Sequence, residues 1–269
     1  MEKKYEITEK YLQVNGTILH QIVALKDFGN IKKGELGGFI RSEENLSQKG
    51  ECWVYGNAKI YDNARVYGAT MIYGNAMIYG DAMIYGDARV CGNASVSGNA
   101  RVSGNARVCG NAMIYDNAMI YGKTKIYDNA IVYGATMIYG NAMIYDNAMI
   151  YDNAMIYGNA RVYGNARVYG NAKIYGKTKI SDGANINSTN KYITISPIGS
   201  RDDTTTFYLT KDNHIRVNCG CFNGTIDELA QAVEINHRNN KLYETQYLSA
   251  IEYVEKVFNV MKEENEYYG

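Results

Sequence analysis

The sequence contains one proline, one tryptophan and no excess of either charge, with 28 basic and 28 acidic residues among its 269. Balanced charge provides no global field that would attract nucleic acid or an anionic membrane. No run approaches the roughly 18 apolar residues of a membrane span. The first residues lack the apolar core of a signal peptide. We therefore expect a cytoplasmic protein with no membrane contact.

Histidine and cysteine are also scarce. His20, His214 and His237 all lie outside residues 54–186, so the middle of the chain has no histidine base and no set of histidine metal ligands. The five cysteines show no disulfide-framework spacing, and reduced thiols are expected in a cytoplasm. No cofactor and no catalytic residue are predicted.

Glycine and tyrosine, in contrast, are abundant, and their positions follow a period of six. Every sixth residue from Val54 to Ile186 is Val or Ile, and the residue two places earlier is Ala or Thr from Ala58 onward. This period excludes a long helix or coiled coil, whereas β-branched residues favour strands and Gly-Asn pairs favour turns. One unit is too short to bury its own apolar side. The pattern therefore predicts a stack of short strands, a β-solenoid.

An aliphatic residue followed four places later by a small one, as in Ile60 with Ala64, resembles the hexapeptide-repeat left-handed β-helix superfamily. The resemblance implies a left-handed triangular prism with three hexads per turn, here about seven coils. Members are often oligomers, which implies a trimer or dimer. Segments 36–40 and 52–58 resemble prophage-encoded and bacterial β-solenoid proteins that carry names such as transferase or polymer-forming protein. Segments 196–200 and 219–225 resemble a C-terminal module of similar phage proteins.

Three parts are predicted: an N-terminal β-hairpin and cap (1–50), the solenoid (51–187) and a small C-terminal α+β domain (188–269). Asn15-Gly16 between two strand-like runs indicates a type I′ hairpin turn, and a Gly-rich segment to Gln48 suggests an irregular cap. In the last part we expect strands at 191–198, 204–210 and 214–219. Thr225 and Glu228 form a capping-box pattern before a helix, and a second helix covers about 243–263. The fold class is mainly β.

If residues eighteen apart stack, the outward residues form three different faces. The first face is basic and aromatic, the second is rich in Met and Tyr, and the third is mixed. Turn aspartates cancel much of the basic face's field, so nucleic acid is not a predicted partner. The second face is rich in Met and Tyr, which favours a homo-oligomer interface, although a tyrosine ladder also stabilises a solenoid by itself. The predicted interface residues are Met119, Tyr121, Met137, Tyr139, Met155 and Tyr157.

The tyrosines are interrupted at four successive positions, which are Cys91, Ser97, Ser103 and Cys109. Small residues in a tyrosine wall form a groove, and Arg89, Arg101 and Arg107 beside it are candidates for holding an anion. Drift within a duplicated repeat is the alternative explanation. Cys91 and Cys109 are expected to be stacked neighbours, near enough for a disulfide under oxidation. In a cytoplasm we expect them to be free thiols.

The C-terminal domain holds the remaining candidates. Arg201, Asp202, Asp203 and His214 are predicted ligand-binding residues. Cys219 and Cys221 are weak metal candidates, because two ligands are not the four of a zinc site. With His237 they leave open an enzyme with a Cys/His site.

These observations predict a non-catalytic binding or scaffold protein. The resemblance suggests a phage or prophage accessory protein that binds a host protein or a small anionic ligand, with inhibition of a host defence as its role. Two alternatives join the Cys/His enzyme: an acyltransferase-like solenoid and a purely structural, self-assembling protein. Acyltransferases of the superfamily use a histidine base near the cofactor groove between coils, and this repeat has none.

Overall fold

The computed structural model of the protein describes residues 2–268. It contains a three-stranded N-terminal cap, a long series of two-residue strands and a four-stranded sheet with two helices. The predicted fold class, a mainly β chain built on a parallel solenoid, is confirmed. The handedness stays a prediction from the resemblance. No helix within residues 2–268 combines the length and the apolar character that crossing a bilayer requires.

Residues 53–186 form 23 strands of two residues, each ending in a buried Val or Ile. Each strand pairs in parallel with the third strand along the chain, so that Arg89 aligns with Arg107 and Val90 with Val108. The predicted stacking at a spacing of eighteen is therefore confirmed. The result is three sheets with eight, eight and seven of these strands, slightly more than the seven coils predicted.

We name the three sheets by their outward residues. The basic sheet comprises β4 (Trp53–Val54), β7 (Met71–Ile72), β10 (Arg89–Val90), β13 (Arg107–Val108), β16 (Lys125–Ile126), β19 (Met143–Ile144), β22 (Arg161–Val162) and β25 (Lys179–Ile180). The methionine sheet comprises β6 (Arg65–Val66), β9 (Met83–Ile84), β12 (Arg101–Val102), β15 (Met119–Ile120), β18 (Met137–Ile138), β21 (Met155–Ile156) and β24 (Lys173–Ile174). The mixed sheet contains β5 (Lys59–Ile60), β8 (Met77–Ile78), β11 (Ser95–Val96), β14 (Met113–Ile114), β17 (Ile131–Val132), β20 (Met149–Ile150), β23 (Arg167–Val168) and β26 (Asn185–Ile186).

The solenoid core is one continuous ladder of Val and Ile side chains, backed by the Ala and Thr residues of each unit. At about 2 kcal/mol per buried aliphatic side chain, such a ladder opposes a large loss of chain entropy. The corners are turns with positive φ, for example Gly68 at +83°. A Cβ on Gly68 would lie 2.7 Å from the carbonyl oxygen of Gly86 in the next coil, which explains the recurrence of glycine there.

The N-terminal cap continues the mixed sheet through β1 (Tyr5–Val14), β2 (Thr17–Ala24) and β3 (Leu36–Ile40), followed by a 3-10 turn at Glu43–Asn45. The predicted hairpin turn is confirmed, with φ of 47° at Asn15 and 82° at Gly16. β3 lies in the segment expected to be irregular, because its pairing partner β5 belongs to the first coil.

The C-terminal domain is an antiparallel sheet of β27 (Tyr192–Ile198), β28 (Asp203–Leu209), β29 (Ile215–Cys219) and β30 (Phe222–Thr225). A 3-10 turn at Thr189–Lys191 precedes it, and α1 (Ile226–His237) and α2 (Lys241–Tyr268) follow. The predicted capping box is present: the Thr225 hydroxyl accepts from the Glu228 amide, and the Glu228 carboxylate accepts from the Thr225 amide.

One face of this sheet closes the end of the solenoid. Tyr208 is fully buried in the solenoid core, and its hydroxyl lies 2.7 Å from the Ser181 hydroxyl. The Asn218 amide donates to the Lys179 carbonyl oxygen and to Ser181, and its oxygen accepts from the Tyr163 hydroxyl. The opposite face packs on the helices. The domain is thus both the C-terminal cap and the support of a separate cleft.

Candidate functional site

A cleft of about 550 Å³ opens in the C-terminal domain, between the sheet and its two helices. Its lining comes from the turn between β27 and β28, the turn between β29 and β30, helix α1 and the first turns of α2. Apolar walls are provided by Ile198, Phe222, Leu229 and Val233. This volume lies in the range typical of small-molecule sites, in which a few polar groups on apolar walls orient the ligand.

Arg201 provides a positive charge at this cleft. It is exposed, and its guanidinium reaches Gly220 on the facing turn. Asp203 also lines the cleft, but its carboxylate is 3.8 Å from the Lys177 ammonium and accepts a hydrogen bond from the Thr204 amide. Arg201 has no carboxylate within ion-pair distance among the described side chains. Its charge is therefore available to a ligand.

Tyr247 brings a buried polar group to the cleft. His237 stacks on its ring with centroids 5.5 Å apart, and its hydroxyl lies 3.4 Å from Cys219 Sγ. Burial raises the pKa of Tyr247, and the hydrogen bond with Cys219 raises it further. The phenol is therefore neutral at physiological pH. Gly199 allows this approach, because a Cβ there would overlap the Tyr247 hydroxyl.

The cleft unites some predicted residues and separates others. Arg201, Asp203, Cys219, Cys221 and His237 all line it, although they come from three separate segments. Two predicted ligand residues do not line it. Asp202 occupies the exposed turn at positive φ, and His214 lies in the hairpin turn before β29, where its amide donates to the Thr210 hydroxyl.

The two cysteines of the cleft have different surroundings. Cys219 is half-buried, with Sγ 3.1 Å from the Thr205 hydroxyl, whereas Cys221 is exposed. In the described part of the chain, no three His, Cys, Asp or Glu side chains converge as metal ligands. Cys219 and Cys221 therefore have no third protein ligand of these types beside them.

On the solenoid, the three candidate arginines do not share one groove. Arg89 and Arg107 are aligned neighbours on the basic sheet. Arg101 lies on the methionine sheet, where it aligns with Met83 and Met119. The reason is geometric: successive hexads lie on successive sides of the prism, so residues six apart face different directions.

Cys91 and Cys109 are aligned neighbours, as predicted, but they form a disulfide with Cα atoms 4.5 Å apart. The expectation of free thiols is wrong for this pair, because the parallel register places the two side chains directly beside each other. Cys52, Cys219 and Cys221 are free. The disulfide fills the two interrupted tyrosine positions of the basic sheet.

The six residues of the predicted oligomer interface share one face. Each methionine begins one of the strands β15, β18 and β21, and each tyrosine directly follows one of them. The three strands are successive neighbours in the methionine sheet. The rings of Tyr121, Tyr139 and Tyr157 are nearly parallel, with centroids 5.1 and 5.0 Å apart. The three methionines are half-buried, and Tyr121 is 39% exposed. The interface itself stays a prediction.

The single groove predicted at the four missing tyrosines is not present, because these positions lie on three different sheets. Ser97 and Ser103 line two separate grooves, and the disulfide occupies the other two positions. Sequence reasoning missed Tyr247 and Phe222 in the C-terminal cleft. Tyr247 belongs to the apolar stripe of α2, so its spacing signals burial and carries no sign of a site.

A family model matches the repeat, and one relative is similar over part of the chain. The family model described as "YdcK Beta solenoid repeat" matches residues 58–71, 72–86, 78–92, 88–104, 94–110, 148–162 and 160–176. The repeat is similar to that of this family. The chain is also 38% identical over 61 residues to a protein of Escherichia coli (strain K12) named "Uncharacterized acetyltransferase YdcK". That stretch is 20% of this chain and 19% of the relative, so the chain spans about a fifth of the curated relative's length. The matches support a β-solenoid repeat.

Proposed function

We propose that the protein is a non-catalytic binding protein, in which the solenoid is a rigid scaffold and the C-terminal cleft binds a small anionic ligand. The observation that carries this proposal is Arg201, an exposed cation that lines a cleft of about 550 Å³ and has no carboxylate within ion-pair distance among the described side chains. Guanidinium groups bind carboxylates and phosphates by paired hydrogen bonds. The neutral Tyr247 hydroxyl and the Ser200 hydroxyl provide further polar contacts beside apolar walls.

Native mass spectrometry of protein freshly purified from lysate tests this function. We expect a small bound mass that is lost in Arg201→Met and retained in Arg238→Met, which removes another exposed arginine outside the cleft lining. Thermal unfolding with inorganic phosphate or succinate gives an independent measure. The proposal fails if the bound mass survives Arg201→Met, or if neither anion raises the melting temperature and no mass is bound.

The proposed assembly is a homo-oligomer, a trimer or dimer, formed through the Met/Tyr face of β15, β18 and β21. Exposed Tyr and Met are typical of protein interfaces. Met137→Lys places a charge in this face without altering the repeat, since Lys173 occupies the same position two coils on. We expect it to reduce the oligomer mass in light scattering. Met149→Lys, at the equivalent position of the mixed sheet, is the control and should leave the mass unchanged.

The biological setting that we propose is a phage or prophage accessory protein in the host cytoplasm, which binds a host protein or sequesters a host anion and so blocks a host defence. Its support is the resemblance of the flanking segments to prophage-encoded solenoids. Expression in a host that carries defence systems, followed by phage challenge, tests the setting. Protection of the phage should disappear with Arg201→Met if the cleft is responsible.

A second candidate is an acetyltransferase, which the name of the Escherichia coli relative suggests. The solenoid repeat, residues 54–186, contains no histidine that could act as the base of such an enzyme. Release of free thiol from acetyl-coenzyme A in the presence of amine acceptors would favour this candidate. A third is a thiol enzyme, since Cys219, Cys221 and His237 all line the cleft. Stoichiometric zinc, or a turnover lost in Cys219→Ser, would favour it.

A further inference from the structure

The tyrosines of the methionine sheet form a stacked column with one vacant place. Tyr67 and Tyr85 stack with centroids 5.1 Å apart and planes 3° from parallel. Tyr121, Tyr139, Tyr157 and Tyr175 continue the column on the other side, with centroid separations of 5.1, 5.0 and 5.4 Å. The strands are in unbroken register, since β12 pairs with both β9 and β15. At β12 the tyrosine position is Ser103.

Ser103 leaves a slot between two tyrosine faces. Tyr85 and Tyr121 are two coils apart, which is twice the 5.1 Å step between adjoining rings of this column. An open groove of about 390 Å³ is lined here by Tyr85, Ser103 and Tyr121, with Met119 and Met137 beside them. A ring at the vacant place would meet both tyrosines as column rings meet each other. The slot therefore has the thickness of one aromatic ring.

Arg101 adds a positive charge to the same groove. It is exposed and has no carboxylate within ion-pair distance among the described side chains. Its aligned neighbours are Met83 and Met119, which are uncharged. An aromatic slot with one free guanidinium suits a ligand that is flat at one end and anionic at the other.

The other interruptions differ in chemistry. The vacancy at Ser97 on the mixed sheet lies between Tyr79 and Tyr115, but its lining includes Asp116 and no arginine or lysine. A carboxylate disfavours an anion. The vacancies at Cys91 and Cys109 are filled by the disulfide. The slot at Ser103 is thus the vacancy that combines open ring faces with a free cation, and the one at Ser97 is an internal control.

We infer that the slot is a second binding site, for a planar aromatic anion whose ring lies between Tyr85 and Tyr121 and whose anionic group pairs with Arg101. This inference goes beyond the proposed ligand cleft, with which the slot shares no lining residue. Met119, Tyr121 and Met137 line the slot and also belong to the proposed Met/Tyr interface, so the slot takes its ligand on a protomer whose Met/Tyr face is free of a partner copy. Aromatic stacking on protein side chains is favourable and tolerant of ring identity. The site therefore selects a class of ligand: an aryl phosphate or aryl carboxylate.

Phenyl phosphate is the probe that tests the inference on the full-length protein by ligand-observed NMR. A ring held between two tyrosines should show upfield shifts of its protons, because it lies in the shielding region of both rings. Phenol and inorganic phosphate, used separately, report on the ring and the anion alone. We expect each to bind more weakly than phenyl phosphate.

Three substitutions locate the site, and each introduces a residue that the repeat already uses. Ser103→Tyr completes the column and should weaken binding of phenyl phosphate by about tenfold or more. Arg101→Met should weaken phenyl phosphate by about tenfold and leave phenol binding unchanged. Ser97→Tyr fills the other vacancy and should have no effect. Arg201→Met, in the C-terminal cleft, should also leave the shifted ring signals unchanged.

Circular dichroism and the melting temperature of each variant verify folding before binding is compared. Unchanged upfield shifts in Ser103→Tyr overturn the inference. So does equal loss of binding in Ser97→Tyr and Ser103→Tyr, which indicates nonspecific contact with exposed tyrosines. Full displacement of phenyl phosphate by inorganic phosphate, with no upfield shifts, indicates a simple anion contact and also overturns it. Failure of the C-terminal cleft proposal affects none of these outcomes.

Discussion

Substitutions of Asp152 test how the solenoid corners are stabilised. Asp152 occupies a turn at φ of 61°, and its carboxylate accepts a hydrogen bond of 3.2 Å from the amide of Gly170 in the next coil. The same bond recurs at Asp62, Asp116, Asp128 and Asp146. The aspartate thus does two things: it tolerates a left-handed backbone, and it links two coils.

The expected costs separate these two contributions. Asp152→Asn keeps an acceptor and the tolerance of positive φ, so the free energy of unfolding should change by about 0.5 kcal/mol or less. Asp152→Gly loses the hydrogen bond alone, at about 1 kcal/mol. Asp152→Ala loses the bond and keeps a Cβ in the left-handed region, which adds about 1 kcal/mol. The total for alanine is therefore about 2 kcal/mol.

Equilibrium urea unfolding followed by far-UV circular dichroism measures these costs, provided that the dependence on urea is the same in all variants. Asn153→Ala is the control, because Asn153 is the next residue of the turn and its backbone amide, which donates to the Gly170 carbonyl oxygen, is retained. Equal stability of the Gly and Ala variants would refute the role of the left-handed backbone. A stable Ala variant would refute the role of the hydrogen bond as well.

Three further outcomes follow from the structure. The Cys91–Cys109 disulfide closes a loop of 18 residues, so reductant should lower stability by up to about 3 kcal/mol, and a Cys91→Ser, Cys109→Ser variant should show no response to reductant in thermal unfolding. Asn218→Ala removes three hydrogen bonds to the last two coils, so limited proteolysis should release the C-terminal domain faster than from the unaltered protein. Burial raises the pKa of Tyr145 to about 12, whereas an unfolded tyrosine ionises near about 10. The contribution of Tyr145 to the free energy of unfolding is therefore complete below a pH of about 10 and is lost as the pH rises through about 12. Tyr145→Phe should make the fall in melting temperature at alkaline pH less steep.

The solenoid could be predicted from the sequence because its contacts repeat. A period of six with Val or Ile at one place fixes which residue is buried, and the spacing of eighteen then fixes every neighbour, including the pair Arg89 and Arg107. The hairpin at Asn15-Gly16 and the capping box at Thr225 were equally accessible, because their signals are local. Because the repeat is regular, the contacts of one unit predict those of every other unit in the solenoid.

The C-terminal cleft lacked such a signal. Arg201, Cys219, His237 and Tyr247 come from separate segments, and only tertiary packing places them together. Strand β30 was also missed, because Phe222–Thr225 is four residues long and contains Asn and Gly, which are poor strand formers. The prediction of free thiols at Cys91 and Cys109 was based on the expected compartment, whereas the structure joins the two residues in a disulfide.

The fixed eighteen-residue coil makes the solenoid a molecular ruler. Each coil advances the chain by one strand spacing, about 4.8 Å, and presents the same contacts to the next. Adding or deleting one complete coil would change the length and leave both ends unaltered. Four such steps, roughly 19 Å, separate the vacancy at Ser103 from the stacked position of Tyr175 near the C-terminal domain. The distance between the two proposed binding sites can therefore change only by whole coils. Proteins with more or fewer repeats would carry the same sites at distances that differ by multiples of one strand spacing.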